Sequence, residues 1–186
     1  MRKLFYISIV HAPEDLGCHL REVKRQYLAR HGLSRWREHM EAVDKFWQEL
    51  GEALLNLPVD YTKVKLYQDS LPVCGHESEI VEELAQSGNR NYQILFELIK
   101  KGAVPMGSED PKLLIEERAR LNNNTAVSSY DSLIERRDQY IAQRIDSTLK
   151  DGEIGLLLMG ALHKVIDKLP KDIQVCKSFS ELKENI

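Results

Sequence analysis

The sequence predicts an α/β fold, with a layered, mostly parallel sheet flanked by helices and a helical insert after the first strand. Several short apolar runs show no polar alternation, which is typical of strands buried on both faces. Segments with the amphipathic spacing of helices lie between these runs. Strands that alternate with helices favour parallel pairing. At 186 residues the chain suits a single domain over 1–186.

The predicted strands are short apolar segments. The first, at 3–11, is dense in Phe, Tyr, Ile and Val. Three more are predicted at 63–68, 153–160 and 172–176, and a shorter one at 103–106. If these strands are parallel, their carboxyl ends meet at one edge of the sheet.

The predicted helices carry apolar residues at steps of three and four positions, and several end at a glycine. The insert, at about 14–57, should contain two helices, and its two tryptophans could cover a site or form the face of a homo-oligomer. The remaining helices are predicted at 77–88, 91–103, 108–121, 130–152 and 178–186.

Composition and charge exclude several classes of protein. The net charge of −3 argues against nucleic-acid binding. Every apolar run is shorter than the roughly 18 residues that cross a bilayer, and acidic residues come too early for a signal peptide. We therefore expect no membrane interaction and a cytoplasmic location. Three cysteines without a CxxC pair argue against a thiolate zinc site.

Polar residues follow the predicted strands at their carboxyl ends. Ligands of open parallel sheets bind at that edge, so these side chains are the candidates for a site. Although they are far apart in sequence, the fold could gather them. They are His11, Gln68, Asp69, Glu109, Asp110 and His163.

The chemistry of this set has two interpretations. Imidazoles and carboxylates can bind a divalent metal, for which His11, His163 and Asp69 are the candidate ligands. The same groups can act as base and electrophile in metal-free hydrolysis. The spacing does not choose between these interpretations, so the cofactor is unknown and a divalent metal stays open.

The segment "ERRDQYIAQRIDSTLKDGEIGLLLMGALH" resembles the last motif block of the broad erythromycin esterase-like, ChaN-like and TraB/Tiki superfamily. There an arginine-bearing helix precedes a strand that ends in GxxH. Arg137 matches the arginine, and Gly160 with His163 supplies the GxxH. His11 in "SIVH" matches the histidine of an opening GxxH motif, with Ser8 in place of the glycine. The second block reads "YQDS", where a glutamate is usual in the superfamily.

The whole chain is also similar to a family of uncharacterised prokaryotic proteins with segments like "LYQDSLPV" and "RDQYIAQRI". The superfamily contains metal-dependent peptidases, metal-free esterases and haem-binding proteins. The resemblance thus suggests architecture more strongly than it suggests a reaction.

Together, these observations favour a hydrolase of the TraB/erythromycin esterase-like type acting on an unknown small substrate. The expected catalytic residues are His11, Asp69, Glu109, Arg137 and His163, with Arg137 holding an anionic group or the developing charge. The alternative is a non-catalytic protein that binds a small molecule or a metal, in the manner of the haem-binding members. In either case the strands that end at His11 and His163 should be close in the sheet and open on the same edge.

Overall fold

A computed structural model describes residues 1–10, 20–122 and 128–177. Five strands form one parallel sheet, so the predicted fold class is confirmed. The strands are β1 (Arg2–Ile9), β2 (Val64–Gln68), β3 (Val104–Met106), β4 (Ile154–Gly160) and β5 (Ile173–Cys176). Their order across the sheet is β3-β2-β4-β1-β5.

Five helices flank the sheet. They are α1 (Leu20–Leu55), α2 (Glu77–Gln86), α3 (Arg90–Lys100), α4 (Pro111–Asn122) and α5 (Ser128–Thr148), and 3₁₀ turns lie at Tyr61–Lys63 and Val165–Lys168. Within the described ranges, none of the helices combines the length and apolar character that crossing a bilayer requires. The helix predicted at 178–186 lies outside the described residues.

The centre of the sheet is β4, which pairs with β1 on one side and β2 on the other. Gly160 at the end of β4 is in register with Ile9, and Leu158 is in register with Gln68. Three carboxyl ends therefore lie at the same edge. β1 ends at Ile9, earlier than the predicted boundary at residue 11, because its pairing with β4 stops at Gly160.

Both faces of the sheet are buried, which explains the unbroken apolar sequence of β4. Leu156 and Leu158 belong to a core formed with the helices α1, α2 and α3. Leu157 and Met159 point to the other face and belong to a second core with α5. The sheet is thus the middle of three layers.

The predicted pair of helices in the insert is confirmed, because α1 is broken by a kink at Gly32. This residue has φ of 79° and ψ of 173°, a left-handed conformation that glycine adopts without a Cβ clash. After the kink, four apolar side chains of α1 belong to the core that this helix forms with α2, α3 and one face of the sheet. They are Val43, Trp47, Leu50 and Leu54. The second half of the insert therefore packs against the sheet. An oligomer face on α1 stays a prediction.

Candidate active site

The carboxyl edge of the sheet brings together four of the predicted site residues. Asp69 follows β2, Glu109 follows β3 and His163 follows β4, while Arg137 reaches them from α5. His11 lies outside the described residues, although the strand that precedes it is the parallel neighbour of β4. The edge that the strand pattern predicts is therefore where these side chains meet.

Two further candidates from the sequence do not join this group. Asp110 accepts a hydrogen bond from the backbone N–H of Lys112 at 2.8 Å, within the first turn of α4. Gln68 precedes Asp69 in an extended strand, so the two side chains leave β2 on opposite faces. The Gln68 amide nitrogen donates to the carbonyl oxygen of Asp69 at 3.3 Å. Both residues therefore have local roles.

Glu109 reaches the site because the chain after β3 runs very close to the chain after β2. A Cβ on Gly107 would lie 2.5 Å from the carbonyl oxygen of Pro72 and 2.6 Å from the Cα of Val73. Only glycine allows this approach. Beyond it, the N–H of Glu109 donates to Leu71 O at 3.1 Å, and the N–H of Val73 donates to Glu109 O at 2.9 Å. These bonds fix the backbone that carries the Glu109 carboxylate.

Arg137 is buried and surrounded by carboxylates. Its Nε and Nη2 donate to the two oxygens of Glu109 at 3.0 and 2.6 Å, a bidentate pair. Nη2 also donates to Asp69 at 3.1 Å, and Nη1 donates to Glu117 at 2.6 Å. Burial lowers the pKa of Arg137, but the hydrogen bond to Glu109 and the charges of all three carboxylates outweigh it and raise the pKa.

The predicted role of Arg137, to hold an anionic group or the developing charge, does not fit this geometry. Only 2% of the residue is exposed, and every nitrogen of the guanidinium already donates to an internal carboxylate. Arg137 is instead the cation that allows Asp69, Glu109 and Glu117 to lie close together. It is a positioning residue.

His163 forms a second buried pair, with Asp138 of α5. Its Nδ1 lies 2.6 Å from Asp138 Oδ1, and Asp138 Oδ2 accepts the N–H of Lys164 at 2.7 Å. An ionised carboxylate only accepts, so Nδ1 carries the proton and Nε2 carries the lone pair of the neutral ring. Nε2 lies 3.8 Å from Asp69 Oδ2, beyond hydrogen-bonding distance.

The protonation of His163 is set by opposing influences. Burial lowers the pKa of the imidazole, whereas the hydrogen bond to Asp138 and the charge of Asp69 raise it. The nearby guanidinium of Arg137 opposes this rise, and the net effect is a raised pKa. Protonation of His163 is therefore coupled to the carboxylate network.

Asp69 connects the two buried pairs. Its Oδ1 accepts from Arg137 and from the hydroxyl of Ser70, each at 3.1 Å. Its Oδ2 accepts the backbone N–H of Gly160 at 3.0 Å and faces His163. This contact ties the end of β2 to the end of β4.

Asp69, Glu109 and His163 each offer an atom within 4.8 Å of the others, so this group could hold a metal ion. Both oxygens of Glu109 are already bonded to Arg137, however, and a divalent cation there would lie beside a guanidinium. In this arrangement the donor set fits the arginine better than a metal. Of the metal ligands predicted from sequence, His11 is outside the described residues.

The sequence predictions did not include Asp138 and Glu117. Asp138 precedes the buried Ile141 by three positions, and Glu117 follows the buried Leu113 by four. Both therefore lie on the buried faces of their helices. An acidic residue on the apolar face of a helix was the signal that could have identified them.

Tyr6 and Ser70 lie near these carboxylates and were also not predicted from the sequence. Tyr6 lies half-buried on β1, where burial and the charges of Asp138 and Asp69 raise the pKa of its phenol. The phenol is therefore protonated, and a hydrogen-bond donor, at neutral pH. Ser70 is exposed and has a φ of 65°.

A separate groove of about 480 Å³ lies between α1 and α3. It contains none of the site residues predicted from the sequence, and its walls combine apolar and charged side chains. We place the candidate site at the edge of the sheet because the buried titratable groups converge there. The groove is lined by Trp47, Gln48, Gly51, Glu52, Leu55, Arg90, Gln93, Ile94 and Glu97.

The candidate site thus contains a histidine–aspartate pair, a carboxylate-bound arginine and an exposed serine at one edge of a parallel sheet. Such edges hold ligands in many α/β proteins, but the fold does not determine the reaction. Comparisons of the chain with protein-family models, with curated proteins and with solved structures give no match.

Proposed function

We propose that the protein is a hydrolase of a small substrate in which His163 acts as the general base without a metal. The observation that carries the proposal is the 2.6 Å contact between His163 Nδ1 and Asp138 Oδ1. A carboxylate in this position selects the tautomer with a free lone pair on Nε2 and stabilises the imidazolium after proton transfer. The raised pKa of His163 makes its Nε2 a stronger base.

The remaining groups have complementary roles in this proposal. The lone pair on His163 Nε2 removes the proton of the attacking hydroxyl, and the imidazolium then protonates the leaving group. The neutral phenol of Tyr6 donates a hydrogen bond to the oxygen on which negative charge develops. Arg137 fixes Asp69 and Glu109, so the carboxylates do not have to reorganise during the reaction.

The charge of the site restricts the substrate class. Four carboxylates surround one guanidinium and one imidazole, and each guanidinium nitrogen already donates to a carboxylate. An anionic group such as a phosphate would meet repulsion from these carboxylates. Neutral or cationic substrates are therefore favoured. The sequence resemblance to a superfamily that includes metal-free esterases accords with this proposal.

The second candidate function is non-catalytic binding of a metal or a metal-containing ligand. The spacing of Asp69, Glu109 and His163 supports it, because one atom from each lies within 4.8 Å of the others. Binding there would require the cation to compete with Arg137 for both carboxylates. This competition makes the second candidate the weaker one.

The test is a hydrolysis screen with neutral esters, amides and phosphate esters, in the presence and absence of a chelator. We expect a neutral substrate to be hydrolysed, His163→Ala to remove the activity, and the chelator to leave it intact. His76→Ala is the matched control, because that histidine is exposed at the N-cap of α2.

Activity that survives in His163→Ala would contradict the proposal. Loss of activity with the chelator, restored by one divalent metal, would favour metal-assisted chemistry. Stoichiometric metal in the purified protein without any hydrolysis would favour the second candidate.

A further inference from the structure

We propose that Ser70 is the nucleophile of this site, so that the substrate is an ester or a related acyl compound and the reaction passes through an acyl-enzyme. The inference rests on the proposed hydrolase function and deepens it. Its basis is the position of Ser70, an exposed residue whose hydroxyl bonds to Asp69 and whose backbone has a positive φ.

Ser70 occupies a left-handed position in the turn that follows β2. The N–H of Leu71 donates to Gln68 O at 3.1 Å and closes the turn, with Ser70 at its third residue. The φ of Ser70 is 65°, and a turn of this kind favours Gly or Asn at that position. Among the described residues, Ser70 is the only non-glycine with a positive φ. Strained residues of this kind concentrate at functional sites.

The contacts of Ser70 place its hydroxyl within the site. Its Oγ donates to Asp69 Oδ1 at 3.1 Å, and its backbone N–H points to Glu109 Oε1 at 3.3 Å. The other oxygen of Asp69 faces His163 Nε2 at 3.8 Å. An acceptor for the serine proton and the general base are thus adjacent, while Ser70 itself is exposed to solvent and to a substrate.

The chemistry balances without an added reactant other than water. Ser70 Oγ forms a bond to the carbonyl carbon, and its proton passes by way of Asp69 to His163 Nε2. The bond to the leaving group breaks, and the leaving group takes the electron pair and that proton. Water then attacks the acyl carbon and gives one proton to His163 Nε2. The bond from that carbon to Ser70 Oγ breaks, Oγ takes the electron pair and this proton, and the acid is released.

The first experiment is covalent trapping. The full chain is incubated with a neutral alkyl fluorophosphonate, which forms a stable adduct with an activated serine as fluoride leaves. Intact mass spectrometry should show one adduct per chain, and peptide mapping should locate it at residue 70. No adduct, or an adduct at another residue, would overturn the assignment of Ser70.

The second experiment uses two substitutions and p-nitrophenyl acetate as the ester. Ser70→Gly removes the hydroxyl and relieves the left-handed strain, so we expect it to unfold at the same temperature as the wild type or higher. Its turnover should nevertheless fall about a thousandfold. Ser70→Ala should lose activity to the same extent. Ser147→Ala, at an exposed serine near the end of α5, is the control and should retain full turnover.

The variants also separate this inference from the function on which it rests. If Ser70→Gly keeps its turnover while His163→Ala loses it, water is the direct nucleophile; the serine inference fails and the hydrolase proposal stands. If both variants keep their turnover, both proposals fail. A folded Ser70→Gly protein without turnover, together with the adduct at residue 70, is the result that we expect.

Discussion

Asp138 and His163 are separated by 25 positions in the chain, yet Oδ1 of one lies 2.6 Å from Nδ1 of the other, and both side chains are almost fully buried. The contact joins α5 to the turn that follows β4. It also determines which nitrogen of the imidazole is available at the edge of the sheet, because the carboxylate acts only as an acceptor.

Asp138→Asn tests this orientation directly. An amide of the same shape can present its NH₂ group to the ring, so the imidazole loses its fixed tautomer and the stabilisation of its charged form. We expect the turnover number to fall about a thousandfold with little change in the Michaelis constant. Steady-state kinetics on the substrate found in the screen would measure this.

Glu135→Gln is the control for Asp138→Asn, since Glu135 is on the same helix but exposed and paired with Lys168. It should leave the kinetics unchanged. Equal activity in wild type and Asp138→Asn would contradict the role proposed for the histidine–aspartate pair.

The stability of the protein should depend on pH through His163. The pKa of the folded state is raised above the ordinary value of 6.5, so the folded protein binds this proton more tightly than the unfolded chain does. The resulting stabilisation is complete below about pH 6.5 and is lost as the pH rises through the folded pKa. Activity requires the neutral imidazole of His163 and should increase as the pH rises through the same pKa.

Urea unfolding at a series of pH values would measure the dependence of stability on pH, with His163→Gln as the reference that lacks the titrating group. The difference in unfolding free energy between the two proteins should shrink as the pH rises above 6.5. A constant difference would show that the proton is not linked to folding.

Arg137→Met should destabilise the protein strongly, because it leaves Glu109 and Asp69 buried without their cation. Removing one partner of a buried ion pair costs roughly 3–5 kcal/mol of unfolding free energy. Since the freed carboxylates can then bind a cation, Mn²⁺ should raise the melting temperature of this variant and have little effect on the wild type.

Arg136→Met provides the matched comparison for Arg137→Met, because Arg136 is exposed and pairs with Glu116 at the surface. Its effect should stay below about 1 kcal/mol. A strong shift of the wild-type melting temperature by Mn²⁺ would instead support a metal site that tolerates the arginine.

Gly107→Ala tests the close approach that positions Glu109. The new Cβ would meet backbone atoms of Pro72 and Val73 at 2.5 and 2.6 Å, so the segment after β2 or the segment after β3 must move. We expect a loss of roughly 1–3 kcal/mol in unfolding free energy, and lower activity as Glu109 shifts. Thermal unfolding and kinetics would show both effects. In Gly51→Ala, the new Cβ meets only the side chain of Ile94, so the loss should be smaller.

The sheet could be predicted because each strand carries its own signal. A run of apolar residues such as β4 is buried on both faces wherever it lies, and its parallel neighbours follow from the intervening helices. The same logic located Asp69, Glu109 and His163, since residues within a few positions of a strand's carboxyl end lie near that edge. Arg137 came from the resemblance of its segment.

The partners of these residues could not be predicted in the same way. The three carboxylates around Arg137 come from α4 and from the segments after two strands. No local sequence pattern encodes which helix faces which strand end. Asp138 and Glu117 sit on helices, where charged residues usually indicate a solvated surface. Ser70 depends on a turn conformation that serine rarely adopts, so its sequence neighbours gave no signal for it.

Arg137 and Asp138 are adjacent on α5, and this constrains the rotation of the helix about its own axis. Successive residues of a helix point roughly 100° apart, so one turn of α5 supplies a cation to the carboxylates and an anion to the imidazole. The preceding residue is also an arginine, Arg136. A helix rotated by one position would place Arg136 among the carboxylates with little electrostatic change, but it would turn Arg137 toward His163. The carboxylates and the histidine thus add an electrostatic constraint on the rotation of α5 to the one set by its buried apolar side chains, such as Ile141 and Ile145.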